Sequence, residues 1–429
     1  MRVSHWLTGL VALALTAGAL GAAWLLLNPG GPPLQAASVS HAALSPNADG
    51  VDDVAVIRYT LRRPATVSLY LVDAAGQRYD FRREKPRPAG DNEVFFSGIV
   101  DPFTRPTDTF TGTLLARVLP NGEYTWAVAA QDEAGLGNEI TGTLRIQAAD
   151  TALPELSNLT VLPKLFTPNR DGLDDRVTIN VALSKDVDAG GLRLTLEGAG
   201  GLALPIAESA GSLKKPGERG LHVYDYDGGV DQGLEPPPDG EYVIRAEAED
   251  RLGQRLVVTT TLTLAQGGLP RAELYQGDVQ FSAESVVLGQ TLYFTLTVEN
   301  YGTAPIRTTG PAPDYVYASM GTNYNTIGEY VQAGAFRVGL MCETCISDYP
   351  WRWAIGRPED LTVIPDSQGR PQYYLLPGRR AQVTGGLVLD QVVTARNPQY
   401  FWAGLIHEEV EIATINNRVD PHFIQIEQP

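Results

Sequence analysis

An all-β fold, three tandem Ig-like β-sandwich domains behind an N-terminal signal-anchor helix, is predicted by three observations. The 429-residue chain carries 44 glycines and 30 prolines among short alternating apolar runs, a composition typical of turn-rich sheet proteins. SPNADGVDD (45–53) returns as TPNRDGLDD (167–175), and each copy leads directly into an alternating run, VAVIRYTL (54–61) and RVTINVAL (176–183). A second pair, LPNGEYTWAVAAQDEAG (119–135) and PPDGEYVIRAEAEDRLG (237–253), recurs at nearly the same spacing, so this region is a duplication. The length suits about three domains at roughly 150 residues each, and 43% hydrophobic residues supply their cores.

Residues 1–28 hold an uninterrupted apolar run from Trp6 to Leu27 behind Arg2, long enough to cross a hydrocarbon layer of ~30 Å as a helix. An uncleaved signal-anchor fits, with Arg2 keeping the N-terminus inside and the rest extracytoplasmic. A cleaved signal peptide, cut near Ala22-Ala23 or Ala36-Ala37, is the alternative, and no cysteine follows that a lipoprotein would need. Residues 29–39, rich in Pro and Gly at their start, read as a linker without structure of its own.

The first domain, 40–149, contains strand candidates at 54–61, 66–72, 113–119, 124–130 and 141–147. Between Phe81 and Asp108 the alternation collapses, which predicts a long loop insertion. The second domain, 150–268, keeps the order of loop, strands at 177–183 and 191–197, a PPDG turn, and strands at 242–249 and 257–264. The third, 269–429, does not repeat the others. QTLYFTLTVENYGTAPI (290–306) alternates cleanly, LLPGRRAQVTGGLVL (375–389) is a turn and a strand, and VEIATINNRVDPHFIQI (410–426) closes the chain. The aromatic-rich stretch from Pro311 to Asp360 lacks strict alternation and is expected to be long loops.

The two repeats resemble the Ig-like domain named after the flagellar hook-capping protein FlgD, a surface module of bacterial envelope and secreted proteins. The resemblance rests on P-N-x-D-G-x-D-D (46–53 and 168–175), D-x-x-G at 73–76, and the G-E-Y strands with their D-x-x-G exits (122–135 and 240–253). The family's Trp-Asp-Gly turn stands here as Phe96-Ser97-Gly98 and Tyr226-Asp227-Gly228. The third domain, through LGQTLYFTLTVENYGTAPI, LPGRR and ATINNRV, is similar to the CARDB class of adhesion-type β-sandwiches. The resemblance implies a spacer or adhesion module and does not by itself imply a flagellar role.

Candidate sites follow from residue chemistry. Asn47, Asp49, Asp52 and Asp53, with Asn169, Asp171, Asp174 and Asp175, cluster oxygen donors that suit Ca²⁺. No twelfth-position Glu makes them EF-hands, and the same side chains also suit Asx-turns that bond their own backbone. Both readings stand at this point, and bound calcium would act by stiffening. Cys342 and Cys345 form a lone C-x-x-C, which outside the cytoplasm reads as a small-loop disulfide. Trp351 and Trp353 stand two apart with Arg352 between, and Trp402 is the third tryptophan of this domain. Exposed, these three would form a ligand face for glycan or a protein partner; packed inward, they are core.

The net charge of −17 argues against nucleic acid as a partner. His5, His41, His222, His407 and His422 are scattered without ligand spacing, and H-E-x-x-H, G-x-S-x-G and P-loop motifs are absent, so no enzyme is expected. The expectation is a non-enzymatic surface protein whose two repeats form a stalk. Its third domain meets a cell-surface protein or polysaccharide, with a carbohydrate-binding or sensing subunit as the alternative.

Overall fold

The computed structural model describes residues 31–209 and 214–428. The signal-anchor expected over 1–28 lies outside the described residues. Among the described residues every regular element is a strand or a single 3-10 turn, and no helix is long and apolar enough to cross a membrane.

Three hydrophobic cores follow one another along the chain. In the first, Ala55–Leu61 lies between Leu34–Val39 and Gly90–Phe96 in a three-stranded antiparallel sheet. Its alternation turns Ala55, Ile57, Tyr59 and Leu61 inward. They meet Leu69, Leu71, Trp126 and Val128 of a five-stranded sheet, where Gly122–Gln131 runs between Ala65–Val72 and Gly137–Ile146. Each buried Leu, Ile or Val among them contributes about 1.5–3 kcal/mol.

The second core reproduces this plan strand for strand. Leu156–Leu162, Val177–Leu183 and Gly220–Tyr226 form the short sheet, and Gly240–Glu249 runs between Leu192–Glu197 and Arg255–Leu264 in the long one. In both copies a two-residue strand, Ala43–Leu44 or Leu165–Phe166, joins the long sheet in parallel just before the Asp-rich loop.

That correspondence corrects two expectations. Residues 34–39 are not linker: Leu34–Val39 is the first repeat's counterpart of Leu156–Leu162, an edge strand whose mostly exposed side chains leave no alternating signature. The supposed insertion from Phe81 to Asp108 contains the rest of Arg78–Arg87, then Gly90–Phe96 and Ile99–Val100. The charged residues from Arg82 to Glu93 are the solvent faces of paired strands. Past Val100, residues 101–112 are tied down by Arg117, 1% exposed, which donates two hydrogen bonds to the Asp108 carboxylate at 2.6 and 2.8 Å. Those bonds, outweighing burial, hold Asp108 well below the usual carboxylate range.

Thr113–Val118 crosses the repeat boundary. It pairs with Ile99–Val100 on one edge and with Arg255–Leu264 of the second repeat on the other. The result is one sheet running out of the second core into the first, with Leu114 seated in the second core. Gln254, fully buried, seals the junction: its Oε1 accepts from Val118 N at 3.3 Å and its Nε2 donates to Ala152 O at 2.9 Å.

The third core lies between a sheet built on Thr291–Asn300 and Arg380–Val388 and a larger one centred on Phe336–Cys342 and Gln399–His407. Residues 311–360 are therefore not only loops. They supply Phe336–Cys342, Trp351–Ala354 and Val316–Tyr317. Phe336–Cys342 is buried on both faces, which is why its sequence does not alternate.

Candidate functional site

The two Asp-rich loops share one conformation. Ala48, Gly50 and Asp52 have φ of 63, 89 and 52°, and their counterparts Arg170, Gly172 and Asp174 have 58, 84 and 53°. Asp53 accepts the amide hydrogens of Asn47, Ala48 and Gly50 at 2.9, 2.8 and 2.6 Å, and Asp175 accepts those of Asn169, Asp171 and Gly172 at 3.2, 3.2 and 2.6 Å. Asn47 and Asn169 accept from the amides of Asp49 and Asp171, and those aspartates accept from Val51 and Leu173. The Asx-turn reading thus describes Asn47, Asp49 and Asp53 and their counterparts Asn169, Asp171 and Asp175, whose side-chain oxygens accept from the loop's own backbone. Among the described residues no group of three or more His, Cys, Asp or Glu side chains is placed to hold a metal ion.

The copies differ in what covers them. The first loop is largely exposed, whereas Asp171 is 3% exposed beneath the third module. Arg307 donates through Nε to Asp171 O at 2.8 Å and through Nη2 to Ala333 O at 2.6 Å. Tyr374, the cross-strand partner of Arg307, donates its hydroxyl to Asp171 Oδ2 at 2.6 Å. His407 donates through Nε2 to Arg170 O at 2.8 Å while its ring stacks on Phe336, 4.1 Å between centroids.

This cover reverses the electrostatics of equivalent carboxylates. At Asp53 burial raises the pKa, but the three amide donors prevail and hold it below the ordinary value. At Asp175 burial dominates, helped by the Asp171 charge, and pushes it up to about 6.

His407 is pulled down to about 4, chiefly by burial. Its folded pKa lies below the unfolded value of 6.5, so the unfolded chain binds more protons between those limits and stability is lost as pH falls through them. Asp175, raised, acts in the opposite direction below about pH 6. Comparing the wild type with His407→Gln, which keeps a donor, cancels the Asp175 contribution. From pH 7 to 4.5 the wild type is expected to lose about 2 kcal/mol more than the variant in denaturation experiments. Parallel pH profiles would contradict this.

Within the third module a buried ion triad stands where sequence reading placed a ligand face. Arg352 donates through Nη1 to both oxygens of Glu408 at 2.8 and 2.9 Å, and Arg337 Nη1 lies 3.6 Å from the same carboxylate. Arg337 also donates to the carbonyls of Thr309, Glu329 and Tyr330, and the Arg352 guanidinium lies 4.1 Å from the Tyr324 ring centroid.

Trp351 and Trp353 do point to one side with Arg352 opposite, but that side is the core. They are 1% and 0% exposed. Trp353 packs edge-on against Phe294 and Tyr317, and its Nε1 donates to Tyr315 O. Trp402 is half-buried with the Arg418 guanidinium over its ring. The three tryptophans therefore form no common ligand face.

The Cys342 and Cys345 sulfurs are bonded, with Cα atoms 5.1 Å apart, at one wall of a cleft of about 460 Å³. Its lining includes Asn323, Thr344, Trp351, Gln391 and Gln399.

Arg307, Tyr374, His407, Arg337 and Glu408 were not singled out from sequence as interacting groups. A signal was present in FRVGLMC, WRWA and GLIHEE, where charged residues interrupt or end doubly apolar runs. A charge in such a run is retained only with a partner, so each one announces another buried group.

No protein-family model matches the chain, and no curated protein matches it. The FlgD-type and CARDB resemblances thus rest on the quoted motifs. Among solved structures the chain is similar to a Ca²⁺-stabilised adhesin that helps an Antarctic bacterium reach out and bind ice. That match has a TM-score of 0.26 and 12% identity, covering 93% of this chain and 75% of that one. It is similar also to a tetra-tandem repeat in the extending region of a large adhesion protein, with TM-score 0.18, 13% identity and coverage of 86% and 80%. A third neighbour comes from work on host cell surface retention of a 1.5-MDa bacterial ice-binding adhesin, with TM-score 0.19, 12% identity and coverage of 84% and 99%. All three neighbours are adhesion proteins.

Proposed function

We propose that this chain is a non-enzymatic extracytoplasmic surface protein in which the two duplicated modules act as a stalk. The stalk presents the third module for adhesion or for contact with another envelope protein, and the apolar run from Trp6 to Leu27 tethers it. The observation that carries this reading is that neither junction is a flexible linker. The first is a shared sheet sealed by Gln254, and the second is the buried loop held by Arg307, Tyr374 and His407. Fixed junctions suit a protein that holds a surface at a set distance and orientation, because flexible linkers would spread that position over many conformations.

The test is a distance measurement. Spin labels at Val51→Cys and Val363→Cys, both exposed positions, are expected to give one narrow distance distribution in the full chain. A broad or multiple distribution would remove the stalk. A phosphatase reporter fused at the C-terminus, active outside the cytoplasm alone, tests the location: an inactive fusion rules it out.

A further inference from the structure

We propose that the cleft beside the Cys342–Cys345 bridge binds a neutral saccharide, an inference that rests on the third module being the presented end. Its volume of about 460 Å³ falls within the range of small-ligand sites. No Asp, Glu, Lys or Arg lines it, in a protein of net charge −17. A phosphate, carboxylate or amine entering it would lose water and meet no counter-charge. The chemistry therefore selects uncharged ligands.

Among those, the polar groups favour one rich in hydroxyls. Gln399 is 2% exposed, and Thr344 Oγ1 donates to its Oε1 at 2.7 Å, which fixes the amide's orientation. Its Nε2 has no hydrogen-bond partner among the described residues. A purely apolar ligand would leave that donor unsatisfied at a cost of about 1–3 kcal/mol, so the cleft calls for an acceptor. Gln391, an exposed lining residue, makes no hydrogen bond among the described residues, and Ser347 adds a hydroxyl. Amides and hydroxyls both donate and accept, as sugar hydroxyls do.

The remaining lining is apolar, as the C–H side of a sugar ring requires. The disulfide, Pro350 and Trp351 form an apolar floor, with Ile346, wholly exposed, and Val393 at the rim. Trp351 is held by its Nε1 donating to Thr322 O at 2.8 Å. The wall itself is clipped by the bridge and by Glu343 N donating to Tyr400 O at 2.9 Å, so little ordering is left for the ligand to impose.

The full chain is to be tested on an array of neutral and acidic glycans, and by saturation-transfer NMR with cellobiose, maltose, lactose and chitobiose. At least one neutral glycan is expected to bind, and Gln391→Ala and Gln399→Leu are each expected to weaken it at least tenfold. Gln391 is exposed and unbonded, so its variant should melt as the wild type does and report on the cleft alone. Three results would overturn the proposal: no neutral glycan bound on the array or by NMR, binding confined to acidic glycans, or binding unchanged in both variants. A negative result would leave the spin-label test untouched, since that test reads the module junctions and not the cleft.

Discussion

Glu408→Gln is expected to destabilise the third module by about 3–5 kcal/mol, the cost of leaving buried charge uncompensated. Glu408 is 2% exposed and faces two guanidiniums, those of Arg337 and Arg352. Neutralising it leaves both cations under protein with only uncharged oxygens as acceptors. Asp314→Asn, which breaks the half-exposed pair with Arg357, serves as the control and is expected to cost under about 1 kcal/mol. Urea denaturation followed by tryptophan fluorescence reads both, because Trp351 and Trp353 lie in the affected core. Equal, small effects would mean that the triad is as well screened as a surface pair.

The duplication supplies its own control for the second large effect. Gly172 has φ of +84°, and a Cβ there would lie 2.0 Å from Ala333 O. From the facing side, a Cβ on Gly334 would lie 2.0 Å from Asp171 C, so neither backbone can yield by rotating a side chain. Gly50, its equivalent in the first loop, has φ of +89° and nothing within 4 Å. Gly50→Ala is therefore expected to cost the left-handed strain alone, about 1–2 kcal/mol. Gly172→Ala is expected to cost that plus roughly 3 kcal/mol more, as the hydrogen bonds from Arg307, Tyr374 and His407 are lost at about 1 kcal/mol each. It should also broaden the distance distribution between the spin labels, which Gly50→Ala should not. Equal costs for the two variants would show that the docked loop contributes nothing.

How far the sequence could be read depended on whether a residue's neighbours are local. The Asp-rich loops were legible because Asn47, Asp49 and Asp53 bond amides within six positions, so composition and conformation travel together. The alternating strands 54–61 and 176–183 were legible because one face is wet. Leu34–Val39 was missed because an edge strand that buries little carries almost no pattern. Phe336–Cys342 was missed for the opposite reason, since it buries nearly everything. The covering of Asp171 lay beyond reading: Tyr374 is 203 positions away, and nothing in TPNRDGLDD distinguishes a docked loop from the exposed SPNADGVDD. The Trp351–Trp353 spacing correctly placed both rings on one side, but spacing carries no information about which side faces water.

Thr113–Val118 also bears on how the protein can be taken apart. It is counted with the first repeat by sequence yet hydrogen-bonded to Arg255–Leu264 and plugged into the neighbouring core through Leu114. Cutting the gene between the duplicated halves would strip that strand away, opening a hole at the Leu114 position and baring the edge of residues 255–257 to any passing chain. The smallest piece that can be excised without creating an adhesive rim is thus the pair, and recombination that shuffles such modules would have to move them two at a time.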